Sequence, residues 1–304
     1  MKVPCSIVVR GILSKVFYSS LVLLLSAGLA PGTVLSQEEG KDLVERGRYI
    51  FAVAGGCACH TVPKGTPHAG GRAFPIPFGT VYATNITQDK ETGIGTWSDK
   101  EILNAMTTGT RPNGERILPI MPHEAYSGMA EEDLKALIAY LRTLRPVRKE
   151  TPRLKTWIPF YRSLLLPLWL KLFGRYHTRP ATTPKHGIEG GRYLVENVSL
   201  CGDCHTPRNF LGVSNRILYL AGAKSGPLGQ EIPNITPDKK TGIGEWSREQ
   251  IAEALLTGIK ADQEPMEDLM AEVIEGGYKH MKREDALAIA DYLKSIPPVA
   301  NKIR

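Results

Sequence analysis

Four cysteines and two histidines stand close enough along this chain to share one chemistry. The run Cys201-Gly202-Asp203-Cys204-His205 sets two thiols three positions apart with a histidine directly after them. Cys57-Ala58-Cys59-His60 repeats that ending with a shorter gap, and Gly56 stands where the longer run has its first thiol. A disulfide between Cys57 and Cys59 would be strained at that separation. A zinc site would need a second Cys or His pair nearby, and neither cluster has one. Two thiols on one helical turn can instead reach the two vinyl groups along a haem edge, and the next histidine is then carried onto the iron. CxxCH at 201–205 is the complete form of that signature. At 57–60 the spacing secures one thioether, Cys59, and the proximal ligand His60, whereas Cys57 either reaches its vinyl group through a distorted turn or stays a free thiol.

The two clusters belong to a duplication. Asn85-Ile86-Thr87-Gln88-Asp89-Lys90-Glu91-Thr92-Gly93-Ile94-Gly95-Thr96-Trp97-Ser98 returns as Asn234-Ile235-Thr236-Pro237-Asp238-Lys239-Lys240-Thr241-Gly242-Ile243-Gly244-Glu245-Trp246-Ser247, 149 residues later. Gly47-Arg48-Tyr49 precedes the first cluster as Gly191-Arg192-Tyr193 precedes the second, and Tyr140-Leu141 matches Tyr292-Leu293. Self-similarity over such a length marks two copies of one structural unit. The repeat also narrows the search for a sixth iron ligand. Of Met106, Met121, Met129, Met266, Met270 and Met281, only Met121 and Met270 correspond at the 149-residue offset, in segments read as loops between the middle and last helices. Thioether ligation favours ferrous iron and raises the potential. His123 competes with Met121, but Glu272 is its counterpart, so a surface or propionate-side position is expected. A carbonyl near Pro63 or Pro207 is expected to orient each histidine, and Trp97 and Trp246 either pack the middle helix or donate to propionates.

Helices must position these groups. The first is expected over 41–53 and again over 188–197; the middle one starts at Ser98 and Ser247, each with Glu or Gln three residues on, as in a capping box. The last carries Leu134, Leu137, Ile138 and Leu141, or Ala286, Ile289, Ala290 and Leu293, at helical spacing. The fold is therefore read as all-α, with Gly- and Pro-rich loops and a small core that a flat apolar cofactor would complete. Residues 41–145 and 186–304 are the two units, joined by a basic and apolar segment at 146–185.

Residues 1–36 have scattered basic residues, an apolar run from Val16 to Ala30 and small residues near Ala27, Ala30 and Ser36. That is the layout of a secretory signal, and the run is short for a membrane span. Export to the periplasm or the outer face of the inner membrane is the expectation, with a retained anchor as the alternative. Cys5 precedes the run and would leave with the signal. From Arg142 to Arg179 there are ten Lys or Arg residues against one acidic residue, Glu150, around Trp157-Ile158-Pro159-Phe160 and Leu164-Leu165-Leu166-Pro167-Leu168-Trp169-Leu170. This segment reads as a strap over the two units, a docking surface or a membrane-surface element. The net charge of +7 speaks to encounter with acidic partners.

The runs Gly190-Gly191-Arg192-Tyr193-Leu194-Val195-Glu196, Cys201 through Asn209, the Asn-Ile-Thr and Thr-Gly-Ile-Gly loops, and Met270-Ala271-Glu272-Val273 resemble the cytochrome c subunits of membrane-bound alcohol, aldehyde and gluconate dehydrogenases and their dihaem relatives. The resemblance covers nearly all of 41–304. It implies a tandem of class I cytochrome c domains with two covalent haems c, His60 and His205 as proximal ligands, Met121 and Met270 as distal ones, and thioethers from Cys201, Cys204, Cys59 and Cys57. It implies an electron relay from a dehydrogenase donor to an oxidase, a quinone-linked complex or another cytochrome, with no nucleic-acid partner. The rival reading is a haem enzyme, a peroxidase or small-molecule oxidoreductase with one labile sixth ligand. A redox or gas sensor would need an output module, and none is visible.

Overall fold

Helix α1, Pro31–Val53, opens the first copy and buries Ile50, Phe51 and Val53. The computed structural model describes residues 31–304 apart from Cys57, Pro159, Lys185, His186 and Arg304, so most of the expected signal lies outside the described residues. A short antiparallel hairpin follows, β1 Ala73–Ile76 against β2 Gly79–Tyr82. Helix α2, Asp99–Thr107, starts at Ser98 with both halves of a capping box in place. The one-turn α3, His123–Tyr126, leads into α4, Glu131–Leu141, whose Leu134, Leu137, Ile138 and Leu141 are buried as their spacing requires.

The link contributes β3, Lys155–Thr156, which pairs with β2, and α5, Leu166–Phe173. This three-stranded sheet departs from the all-α expectation. Its strands are four, four and two residues long, and Pro75 sits in the edge strand, where a missing donor is tolerated. Runs so short and proline-broken carry no strand periodicity.

The second copy begins with α6, Gly187–Tyr193, which widens into a π-helical turn over 194–198. Next come α7, Cys201–His205, then α8, Arg248–Thr257, with a capping box at Ser247, α9, Asp268–Gly276, and α10, Arg283–Ser295.

First and last helices cross at a glycine in both copies. A Cβ on Gly47 would lie 2.5 Å from the Ala136 carbonyl carbon, and one on Gly191 2.5 Å from that of Ala288. The backbones therefore touch, which only glycine permits. The repeated loops are held identically as well. Asn85 Nδ2 donates to Thr92 Oγ1 at 3.0 Å and to the Val147 carbonyl at 2.8 Å; Asn234 donates to Thr241 at 3.0 Å and to Val299 at 2.7 Å.

Residues 39–304 pack as one unit around a continuous core drawn from both copies. Their contact is reciprocal. The Tyr193 hydroxyl accepts from Ala130 N at 3.0 Å and donates to Asp133 at 2.6 Å, while the Tyr49 hydroxyl accepts from Lys282 N at 3.2 Å and donates to Asp285. Each copy's first helix thus caps the other copy's last helix, as in a two-fold, self-complementary interface. Asp133 is fully buried and also accepts from Arg46 Nε at 2.9 Å and Thr183 Oγ1 at 2.7 Å.

Candidate haem-attachment sites

A left-handed residue turns the chain into each cysteine cluster: Leu200 with φ +58° before Cys201, and Gly55 with φ +82° at the matching place. Cys201 and Cys204 then lie on α7, and Cys59 and His60 on a single 3₁₀ turn over 58–60. Cys59, Cys201 and Cys204 are free thiols. Burial pushes Cys201 and Cys204 up to about 12, so both stay protonated until they react. Cys57 lies outside the described residues.

The histidines are oriented in the same way. His60 Nδ1 lies 2.7 Å from the Thr84 carbonyl oxygen, and His205 Nδ1 2.8 Å from that of Pro233. Donation from Nδ1 fixes the tautomer that leaves Nε2 as the free lone pair, which is the ligand atom an iron needs. Burial lowers both pKa values, more than the carbonyl bond raises them, and Arg111 adds to the effect at His60. Both imidazoles are therefore neutral. The acceptors are not the segments at Pro63 and Pro207, contrary to expectation. The chain leaves the histidine, forms a loop closed by Gly70 N to His60 O at 2.9 Å or Gly222 N to His205 O at 2.7 Å, and returns to it just before Asn85 or Asn234.

Gly56 has φ +60°, and a Cβ there would lie 2.5 Å from the Gly276 carbonyl carbon and fall on its oxygen. The position that would hold the first thiol of a CxxCH thus touches the backbone of the other copy. Gly277 returns the contact, since its Cβ would lie 2.7 Å from Gly56 N.

Met121 sits in the turn before α3, whereas Met270 is on α9, a helix where a loop was expected. Both are only partly buried, at the edge of the core, while Met106, Met129 and Met281 are buried within it. The edge methionines keep an open face, as Met266 also does, whereas the buried three fill the core. Met129 and Met281 also correspond, at the 152-residue offset of the last helices, and their burial separates the two matched pairs.

His123 is fully buried and not at the surface. Its ring stacks on Tyr176 with centroids 5.8 Å apart, and burial lowers its pKa to about 4 against a weaker opposing contact with the Ile117 backbone. Trp97 and Trp246 pack against the core, and their carbonyls accept from Arg142 at 2.5 Å and Lys294 at 2.7 Å, so each ties the middle helix to the last one.

Arg72 carries no signal in the sequence, yet its buried guanidinium joins the two copies. It donates to the Ala58 carbonyl at 3.3 Å and forms a two-point ion pair with Glu272, the longer contact 3.0 Å, two residues after Met270. Only the folded chain brings 72 and 272 together.

Unpaired thiols, imidazoles with a free Nε2 and partly exposed thioethers fit haem c. No group of three His, Cys, Asp or Glu among the described residues could hold a metal instead. Residues 44–145 match the cytochrome c family model. Over 262 residues the chain is 38% identical to the fructose dehydrogenase cytochrome subunit of Gluconobacter japonicus, covering 84% of this chain and 53% of that protein. It is 35% identical to the gluconate 2-dehydrogenase cytochrome c subunit of Pantoea cypripedii, over 90% of this chain and 64% of the relative. The chain thus spans little more than half to two thirds of these subunits. A diheme c-type cytochrome from Cereibacter sphaeroides is 36% identical over 84% of this chain and 86% of its own length. With that match over most of both proteins, and with these histidines and thiols in place, the chain belongs to the cytochrome c family, whose cofactor is covalent haem c.

Proposed function

We propose that this chain is an exported dihaem c-type cytochrome that relays single electrons from a dehydrogenase to a respiratory acceptor in the periplasm or at the outer face of the inner membrane. One haem belongs to 41–145 and the other to 186–304, two tandem cytochrome c domains. Cys201 and Cys204 hold the second haem by two thioethers, and Cys59 secures the first, with Cys57 as the remaining candidate. His60 and His205 ligate from the proximal side, Met121 and Met270 from the distal side. When bound, haem c supplies a one-electron couple that needs no proton.

The observation that carries this reading is the crossed packing of the copies. Val273, Gly276 and Gly277, directly after Met270, lie against Gly55 and Gly56 of the first attachment turn. Gly128, after Met121, lies against Asn197 near the second. Each distal segment therefore backs onto the other copy's attachment motif, which suits transfer between two centres better than two independent reactions.

Intact mass of the mature protein, made in a host that attaches haem c, is the test. Two haems and loss of the N-terminal segment are expected. A single haem would overturn the dihaem relay, and an intact N-terminus would overturn cleavage.

A further inference from the structure

The segment between the copies buries only one of its apolar sides. Leu166 and Leu170 of α5 close over Leu118, with Phe78, Val81 and Leu154 beside them. On the other side, Leu168 and Leu172 of α5 stand four residues apart, the spacing that lines one face of a helix, and Leu164 precedes them in a π-helical turn over 161–165. That face is open: Leu164 is 62% and Leu172 64% exposed. Trp157 and Phe160, just ahead of residues 161–165, are 76% and 77% exposed. Phe210, also open, lies on the neighbouring turn of the second copy, which Trp169 Nε1 holds through the Leu211 carbonyl at 2.8 Å.

Cations frame this stripe. Arg153, Lys155 and Lys171 are exposed and form no ion pair among the described residues. Over 142–179 the only acidic residue is Glu150. A segment built merely as a strap would place polar side chains on the outward positions of α5. Here Leu168 and Leu172 share the exposed positions of α5 with Lys171, and Trp157 and Phe160 stand open ahead of it. Apolar and aromatic side chains beside unneutralised cations are the makeup of an element lying in a membrane interface. No helix among the described residues is long and apolar enough to cross a membrane, so such an element would lie along the surface.

We propose that residues 157–172 seat this protein on a bilayer bearing anionic lipid, with Trp157, Phe160, Leu164, Leu168 and Leu172 in the headgroup layer and Lys155 and Lys171 against lipid phosphates. Charge complementarity selects the occupant, because an anionic bilayer offers acyl chains and negative headgroups together without any register to match. The contact is independent of redox chemistry.

The holoprotein is mixed with phosphatidylcholine vesicles, with and without phosphatidylglycerol, and the bound fraction is read by sedimentation. Binding to the anionic vesicles is expected, weakened but not abolished by high salt. The combined variant Leu164→Ser, Leu168→Ser, Leu172→Ser is expected to lose at least about tenfold in partitioning. Lys155→Glu with Lys171→Glu should lose mainly the preference for anionic lipid. Because these side chains are exposed, haem absorbance and melting temperature should not change, which separates lost binding from misfolding. Absence of vesicle binding, or equal binding by the leucine variant, overturns the proposal. So does loss of a dehydrogenase interaction in that variant without vesicle binding by the parent, which would make the face a protein-docking surface.

Discussion

Replacing Gly56 by cysteine restores, on paper, the CxxCH spacing to Cys59 and His60, and sequence logic alone expects a better-anchored haem. The structure predicts the opposite. Gly56 has φ +60°, a conformation that costs an ordinary residue about 1–2 kcal/mol. Its new Cβ would also fall on the Gly276 carbonyl, 2.5 Å from the carbon, and forcing atoms into a packed site costs about 1–3 kcal/mol. Together the Gly56→Cys change should cost about 2–5 kcal/mol, or about 5–15 °C in melting temperature for a unit of this size. The obstacle is backbone, on both sides of a glycine-to-glycine contact, so no side-chain rotation relieves it. Thermal unfolding of the holoprotein gives the stability, and intact mass after alkylation reports the number of thioethers. Gly56→Ala serves as the companion, because it carries the same Cβ without the thiol and should lose nearly as much. A Gly56→Cys protein that gains a thioether and melts within about 2 °C of the parent would refute the steric argument.

Other outcomes follow from the same contacts. Asp133→Asn removes a fully buried charge that accepts from Arg46, Thr183 and Tyr193, and should cost about 3–5 kcal/mol in denaturant unfolding. Asp285→Asn, at the less buried reciprocal contact, should cost about 1 kcal/mol; the reverse order would contradict the account of the interface. Met270→Ala should let the reduced protein bind carbon monoxide at one haem. Met281→Ala should instead lose about 2–5 kcal/mol as a core cavity and bind none, so spectra and melting curves together distinguish ligand from filler. Asp238 is held below its ordinary pKa by hydrogen bonds from Thr241, first the side chain and then the backbone. Its contribution is therefore complete above the unfolded value of about 3.9 and is lost as pH falls through the lower folded value. An Asp238→Asn protein should show a shallower acid-unfolding limb below about pH 4, and an unchanged limb would rule that carboxylate out.

Much was legible in the residues themselves. Cys201 through His205 carries the complete CxxCH spacing of haem c attachment, a pattern that neighbours in sequence show directly. The duplication, both capping boxes and the buried faces of α4 and α10 were equally readable, since each depends on local periodicity. Met121 and Met270 stand apart from the other four methionines at the 149-residue offset, whereas burial sets aside only Met106, Met129 and Met281 and leaves Met266 partly buried like the matched pair. Other features required the folded chain. The carbonyls of Thr84 and Pro233 reach their histidines across 24 and 28 residues, and a backbone acceptor has no residue type to betray it. His123 was expected at the surface or beside a propionate because its counterpart is Glu272, whereas it lies buried and stacked on Tyr176. The strands were too short to show alternation. Arg72 meets Glu272, and Gly56 meets Gly276, only because two similar copies pack back to back. The sequence by itself set out the thiol and histidine spacings and the repeat, a matter of neighbouring atoms on one turn. Tertiary structure alone decided how each imidazole is aimed and how the two sites face each other, because those contacts join residues up to about two hundred positions apart that no local pattern links.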